Sequence, residues 1–200
     1  VEVELDACEA DLAVGCTYKY LNGGPGAPAF LYVHKNLQEE FSSPIWGWFG
    51  QENPLAFDLQ YTPATGLARF HVRTPPTLCL LAIEPAVEML NEVGMAAVRR
   101  KSVLLGDYLI SLYDEHLERL GFSLGSPRDA TGRGSHISFR HTEGYRINRS
   151  LIDEMGVLPD FRAPDNLRLG LTPLYTTFSE LWEMTQRIVT VMYEKRYLHY

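Results

Sequence analysis

Short apolar runs separated by turn-forming residues dominate the first 73 positions of the chain. Residues 12–16, 29–33 and 67–72 are apolar or alternate with a period of two, which predicts three β-strands. Residues 1–5 alternate as well, and no initiating methionine precedes them. We therefore expect a further strand at the start, a chain that begins inside a fold, and little helix in this region.

Apolar residues recur at helical spacing from the Pro75-Pro76 pair up to Gly94, which predicts a first long helix. A second apolar stripe with the same period runs through residues 99–120. Gly121 stands where a helix of this extent needs a C-terminal cap. We expect the boundary between two domains to fall within this second helix.

The remainder of the chain predicts alternating strands and helices, as in a compact α+β unit. Residues 136–139 and 167–171 read as strands, and residues 145–155 read as a short helix. A capping-box sequence at 177–180 marks the start of the last helix. The residues expected on the inner side of that helix are Phe178, Leu181, Trp182, Ile188, Val189 and Met192.

Composition identifies a globular chain and argues against several classes of partner. Hydrophobic residues make up 46% of the 200 positions, enough to bury a core, and the net charge of −7 disfavours a nucleic-acid surface. No apolar run approaches the roughly 18 residues of a membrane span, and we expect no signal peptide. We therefore expect no nucleic-acid or membrane partner and an intracellular, cytoplasmic location.

Cysteine and histidine spacing predicts neither disulfides nor a metal site. Cys8, Cys16 and Cys79 are odd in number and widely separated, so we expect three buried free thiols. The six histidines show no paired ligand spacing, and we expect no bound metal.

Lys19 is the first candidate for chemistry, because it lies between an apolar strand and a loop rich in glycine. A free lysine amine titrates near pH ~10.4, and burial or a cationic neighbour lowers that pKa and favours reaction with carbonyl groups. An exposed lysine that follows an edge strand is the alternative. The loop at residues 23–26 lacks the sequence of a nucleotide P-loop or a dinucleotide-binding turn, and both are rejected.

Three further residues could bind anionic groups. Trp48 lies in an aromatic loop and offers an indole N–H to a phosphate oxygen, or it belongs to a buried aromatic plug. Thr74 precedes the first helix, where an anion site and a simple N-cap are both possible. Arg168 lies between two leucines of a strand. Its guanidinium could bind a carboxylate in a cleft, or it could pair with Asp160 or Asp165 on the surface.

Six motifs together, in order along the chain, resemble kynureninases. The most specific is the lysine motif at residues 16–26, and the resemblance covers essentially all 200 positions but only about the C-terminal half of a family member. The six motifs occupy residues 16–26, 47–50, 74–76, 99–102, 133–136 and 171–178.

The resemblance implies an α/β fold: the C-terminal part of a fold-type-I pyridoxal-phosphate (PLP) large domain in residues 1–100, followed by a small α+β domain in residues 101–200. It implies a PLP-dependent hydrolase of tryptophan catabolism and NAD biosynthesis. The implied reaction cleaves the Cβ–Cγ bond of L-kynurenine, or of its 3-hydroxy form, to give anthranilate, or its 3-hydroxy form, and L-alanine. The implied enzyme is a homodimer.

Site roles also follow from the resemblance. Lys19 would bind pyridoxal 5'-phosphate covalently and then move protons, while Tyr18 and Trp48 would hold the cofactor phosphate. Thr74 would add a phosphate contact, and Arg168 would bind the substrate α-carboxylate.

Two departures from the family pattern affect this reading. Gln51 stands where the family often has histidine, and residues 6–9 are less aromatic than in the family. The family's ring-stacking aromatic residue and the aspartate that pairs with the pyridine nitrogen lie upstream of residue 1. Two alternatives therefore stay open: a catalytically incomplete dimerisation or binding module, and a related PLP enzyme of the aminotransferase or desulfurase type.

Overall fold

A computed structural model describes residues 1–200, and its contacts divide the chain into two compact units. The N-terminal unit comprises Val3–Val93. The C-terminal unit comprises Gly94–Tyr200 together with Val1–Glu2. The division falls at Gly94, which has a positive φ of 77° and separates two helices, a few residues before the predicted boundary. The assignment of residues 1–100 to a cofactor-binding domain stays a prediction.

The N-terminal unit contains a two-stranded sheet and one long helix. Strands β1 (Leu12–Cys16) and β2 (Ala29–Val33) form where the apolar pattern predicts strands. The two strands pair antiparallel. Helix α1 spans Thr77–Val93 and begins directly after the Pro75-Pro76 pair, as predicted. Between β2 and α1 the chain forms short 3₁₀ turns and loops.

Two of the predicted strands are wrong. Residues 1–5 form no strand, and residues 66–70 form a 3₁₀ turn instead of pairing. Arg69 explains the second case, because its guanidinium donates to the carbonyls of Glu39 and Phe41 and binds the Glu39 carboxylate. These side-chain bonds fix a turn, whereas the alternating pattern reports only which side chains are apolar.

Many apolar side chains of the N-terminal unit are exposed, although its strands are almost wholly apolar in sequence. Leu12 and Val14 on β1 and Phe30 on β2 are exposed, and both tryptophans of the aromatic loop are exposed as well. Buried apolar side chains in this unit are few by comparison, namely Val33, Ala64, Ile83 and Leu90. Strands with such continuous apolar sequence are typical of sheets covered on both faces.

The C-terminal unit begins with helix α2 (Met95–Leu112). This helix continues to Leu120 through a π-helical turn and a 3₁₀ turn. Gly121 ends this helical segment with a φ of +91°, as the sequence predicts. The elements that follow are β3 (Ser123–Leu124), β4 (His136–Arg140), α3 (Gly144–Met155), β5 (Asp160–Arg162), β6 (Asn166–Gly170) and α4 (Phe178–Tyr193). The four strands form an antiparallel sheet in the order β3–β4–β6–β5, and one helix precedes and one follows the β5–β6 hairpin in sequence.

One hydrophobic core holds the C-terminal unit together. It combines side chains from α2, α3 and α4 with one face of the sheet. The capping box at Thr177 and Glu180 starts α4 as predicted. Phe178 and Trp182 are exposed, however, although the sequence placed them inside. The fully buried members of the core are Leu105, Leu109, Leu117, Ile137, Phe139, Ile147, Leu151, Leu171 and Val191.

We expect His141 to make the free energy of unfolding of the C-terminal unit depend on pH. Burial lowers the pKa of its imidazole below 6.5, while a hydrogen bond to Leu120 opposes that shift. The unfolded chain therefore takes up this proton first as the pH falls below about 6.5, and the free energy of unfolding decreases down to the folded-state pKa. Urea titrations of the wild type and of His141→Gln at pH 7.5 and 5.5 measure the effect. We expect a smaller decrease in the variant, and an equal decrease in both proteins would contradict the assignment to His141.

The cysteine prediction was half right. All three thiols are free, but Cys8 and Cys16 are exposed and Cys79 is partly exposed, so the expected burial is wrong. Cys16 ends a strand whose outer face is uncovered, which explains its exposure. None of the helices in residues 1–200 combines the length and the apolar character needed to cross a membrane.

Candidate active site

Lys19 is exposed and lies on a loop that is tightly fixed just beyond β1. The Thr17 hydroxyl donates to the carbonyl of Pro28 over 2.5 Å, and the amide of Gly23 donates to the carbonyl of Thr17 over 2.9 Å. The amide of Asn22 donates to the Lys19 carbonyl over 2.9 Å. The backbone on both sides of the lysine is therefore held, and its side chain projects outward.

Gly23 is needed for this loop because the backbone passes too close to its neighbours for a side chain. A Cβ atom at this position would lie 2.8 Å from the Cβ of Ala27 and 2.9 Å from the Thr17 carbonyl oxygen. The next glycine, Gly24, has a φ of +73°. The glycine-rich motif thus folds the chain back immediately after the lysine.

Tyr18 lies beside the lysine amine. Its ring centroid is 5.1 Å from the Lys19 Nζ, within the range of a cation–π contact. The Tyr18 side chain is 46% exposed. The phenol hydroxyl and the amine are thus presented on neighbouring residues of one loop.

Trp48 starts a short 3₁₀ turn, and 47% of its surface is exposed, so the buried-plug interpretation is wrong for this residue. Its ring contacts Phe49 edge-on, with the centroids 4.7 Å apart. Gly47 lies against the Val72 carbonyl so closely that a Cβ atom would overlap it. This close approach fixes the aromatic loop against the segment that leads to Thr74.

Thr74 lines a cavity of about 320 Å³ in the N-terminal unit. It is not an N-cap, because α1 begins three positions later at Thr77. Val72 and Pro28 line the same cavity. Val72 also meets the aromatic loop at Gly47, and Pro28 accepts the Thr17 hydrogen bond. Both loops therefore contact residues of the cavity wall, while Lys19 and Trp48 themselves do not line the cavity.

Arg168 belongs to the C-terminal unit and lies in the middle of β6. Leu167 and Leu169 are buried in the core, so the arginine faces the opposite side of the sheet, as predicted from alternation. Its guanidinium donates to Asp160, one of the two partners that the sequence offered. The hydrogen bond from Arg168 holds the Asp160 pKa below its ordinary value, against an opposing effect of burial.

Arg133 is a buried charged residue whose structural role could not be predicted from the sequence. Its side chain is only 3% exposed, pairs with Asp107 and donates to the carbonyls of Pro127 and Arg128. Arg99 donates to the carbonyls of Ala130 and Arg133. A charged side chain in a glycine-containing motif was the only signal in the sequence, and it did not reveal burial.

Comparison with known proteins gives a consistent result. Residues 98–188 match the kynureninase C-terminal domain. A kynureninase from Pseudomonas fluorescens is 42% identical over 195 residues, which cover 98% of this chain and 47% of the relative. A kynureninase from Burkholderia mallei is 40% identical over 192 residues, or 96% and 46% of the two chains. The chain thus spans about half the length of the curated relatives it matches.

A solved structure shows the same fold. The apo cysteine desulfurase from Thermococcus onnurineus superposes with a TM-score of 0.80 at 16% identity, over 97% of this chain and 50% of that protein. The fold is therefore that of the C-terminal half of fold-type-I PLP enzymes, as expected from the sequence.

Proposed function

We propose that this chain, which resembles the C-terminal half of kynureninases along nearly its whole length, contributes the cofactor-binding lysine and the carboxylate-binding arginine to a kynureninase active site. The identity of 42% over 195 residues supports this function most directly. The proposed reaction is the hydrolysis of L-kynurenine, or of 3-hydroxykynurenine, in tryptophan degradation and NAD biosynthesis.

The reaction consumes one water molecule and breaks one carbon–carbon bond. Water supplies the hydroxyl that turns the γ-carbonyl of kynurenine into the carboxyl group of anthranilate. The Cβ–Cγ bond breaks, its electron pair stays on Cβ, and a proton at Cβ completes L-alanine. A strong electron sink is needed because negative charge develops next to the amino-acid portion of the substrate.

The exposed side chains of the N-terminal unit fit PLP by their chemistry. Lys19 offers an amine for an aldehyde, and Tyr18, Trp48 and Thr74 offer two hydroxyls and one indole N–H for phosphate oxygens. All four are exposed, and Thr74 lines the 320 Å³ cavity. When bound, this cofactor supplies the electron sink for the cleavage.

The chain's own residues then have separate roles. Lys19 would hold the cofactor through Nζ, and the same amine would then take the proton from the substrate Cα. The donors of Tyr18, Trp48 and Thr74 would hold the cofactor phosphate. Arg168 binds the substrate carboxylate with its planar guanidinium, which matches a carboxylate in geometry and charge.

An assay of three amino acids tests the function against its alternatives. The chain with added PLP is incubated with kynurenine, cysteine or alanine, and the products are measured by anthranilate fluorescence, sulfide release and keto-acid formation. Anthranilate from kynurenine supports the proposal. Sulfide or keto acid without anthranilate would assign the chain to a desulfurase or aminotransferase activity instead.

A binding or assembly module is the second candidate function. The exposed apolar side chains of β1 and β2 favour it, because such surfaces are typical of contacts with other polypeptides. Cofactor attachment at Lys19 without anthranilate release would support this candidate. For the active protein we propose a homodimer in the cytoplasm, and light scattering of the chain with PLP measures its oligomeric state.

A further inference from the structure

Asp160 and Ser138 lie on either side of Arg168 across the sheet. In the register of the C-terminal sheet, Ser138 on β4 and Asp160 on β5 are the direct neighbours of Arg168 on β6. Directly opposed residues share a face of a sheet, so all three face away from the core. The arginine therefore has a carboxylate on one side and a small, buried serine on the other.

The hydrogen bonds show how Asp160 holds the guanidinium. Oδ2 of Asp160 accepts from Nε of Arg168 over 3.0 Å and also from its Nη2. These bonds occupy the Nε edge of the planar group and set the direction of the whole fork. Nη2 carries a second hydrogen, which lies beside a hydrogen of Nη1 on the outer edge of the guanidinium. The ion pair does not use this outer edge, which can bind both oxygens of a second carboxylate.

Asp160 does not neutralise the site, because a second arginine shares the same oxygen. Nε of Arg162 lies 3.2 Å from Oδ2 of Asp160, so two guanidinium groups face one carboxylate. The three side chains carry a net positive charge. An incoming carboxylate is therefore attracted to Arg168 even while the ion pair stays formed.

We propose that Asp160 is a positioning residue for Arg168, holding its guanidinium so that the outer edge receives the substrate carboxylate. This inference rests on the proposed function, in which Arg168 binds that carboxylate. The side chain of Arg168 is 37% exposed, and Asp160 accepts both of its side-chain hydrogen bonds. Removing the carboxylate frees the guanidinium to move and weakens carboxylate binding without removing the positive charge.

The Nε–H resonance of Arg168 in ¹⁵N-labelled full chain with PLP reports both effects. L-Alanine, which carries a carboxylate, and L-alaninamide, which lacks one, are titrated separately. In the wild type we expect alanine to shift the resonance and alaninamide to leave it in place. In Asp160→Ala we expect faster exchange of this hydrogen with water and an apparent Kd for alanine raised about tenfold.

Two further variants separate positioning from a general loss of stability. Asp160→Asn keeps the size and one acceptor oxygen, so we expect a smaller rise in Kd than in Asp160→Ala. Asp153→Ala is the matched control, because Asp153 forms an ion pair with Arg149 on α3, 2.7 Å long, on another element. This control should leave the Arg168 resonance and the Kd unchanged.

The possible outcomes distinguish the inference from the function on which it rests. If alanine does not shift the wild-type resonance, the role of Arg168 fails and the inference fails with it. If alanine binds to the wild type, Arg168→Ala abolishes binding and Asp160→Ala leaves the Kd unchanged, only the inference fails. A Kd that falls in Asp160→Ala would show that Asp160 competes with the ligand, which also overturns the proposal.

Discussion

Replacing Lys19 by alanine should abolish covalent attachment of PLP and reduce kynurenine cleavage by about 10³-fold or more. The amine is the only group in the proposed site that can condense with an aldehyde, and the loop fixed by Thr17 and Gly23 presents it to solvent. Borohydride reduction of the wild type with PLP, followed by peptide mapping, should place the label on residue 19. The variant should carry no label there.

Lys35 provides the matched control for the lysine experiment. It is exposed in the same unit and lies in a short 3₁₀ turn after β2. Lys35→Ala should keep both the label on Lys19 and the activity of the wild type. A label that appears mainly on other lysines, or a Lys19→Ala protein that still cleaves kynurenine, would rule out the proposed role of Lys19.

Arg168→Lys should raise the KM for kynurenine roughly 10- to 100-fold, with a smaller change in kcat. The variant keeps a positive charge but loses the planar fork, and a hydrogen bond to a charged group contributes about 1.5–3 kcal/mol. Steady-state kinetics on the variant measure the two parameters separately. Loss of a contact that is equally strong in the ground state and the transition state appears in KM rather than in kcat.

Arg146→Lys is the control for that substitution, because Arg146 forms an exposed ion pair with Glu143, 3.2 Å long, at the start of α3. It should leave KM and kcat close to the wild-type values. An Arg168→Lys protein with an unchanged KM would mean that another group binds the substrate carboxylate. The Asp160 variants would then report only on a surface ion pair.

Local sequence was sufficient to predict most of the C-terminal unit. Strand β6 alternates between buried leucines and outward residues, and the last helix carries a complete capping box. Both signals arise between residues that are close together in the chain, so they can be recognised without knowledge of the rest of the fold. Arg168 was placed on the outer face of its strand for the same reason.

The errors arose where contacts between distant residues decided the outcome. The segment at 67–72 alternates like a strand, but Arg69 binds backbone carbonyls about 30 positions earlier and holds a turn. Trp182 has the helical spacing of a core residue, yet its ring lies edge-on to His116 and stays partly exposed. Periodicity reports polarity along an element, and it does not report which partner is available to cover each face.

The sequence by itself determined the resemblance to kynureninases, the fold class and the candidate residues, because ordered motifs and local periodicity can be read without coordinates. Only the tertiary structure decided how the candidates are presented. It showed that Thr74 lines a cavity together with Val72, which meets the aromatic loop, and that Asp160 holds one edge of Arg168. Such placement depends on loop geometry and strand register between residues far apart in the chain, which local patterns do not encode.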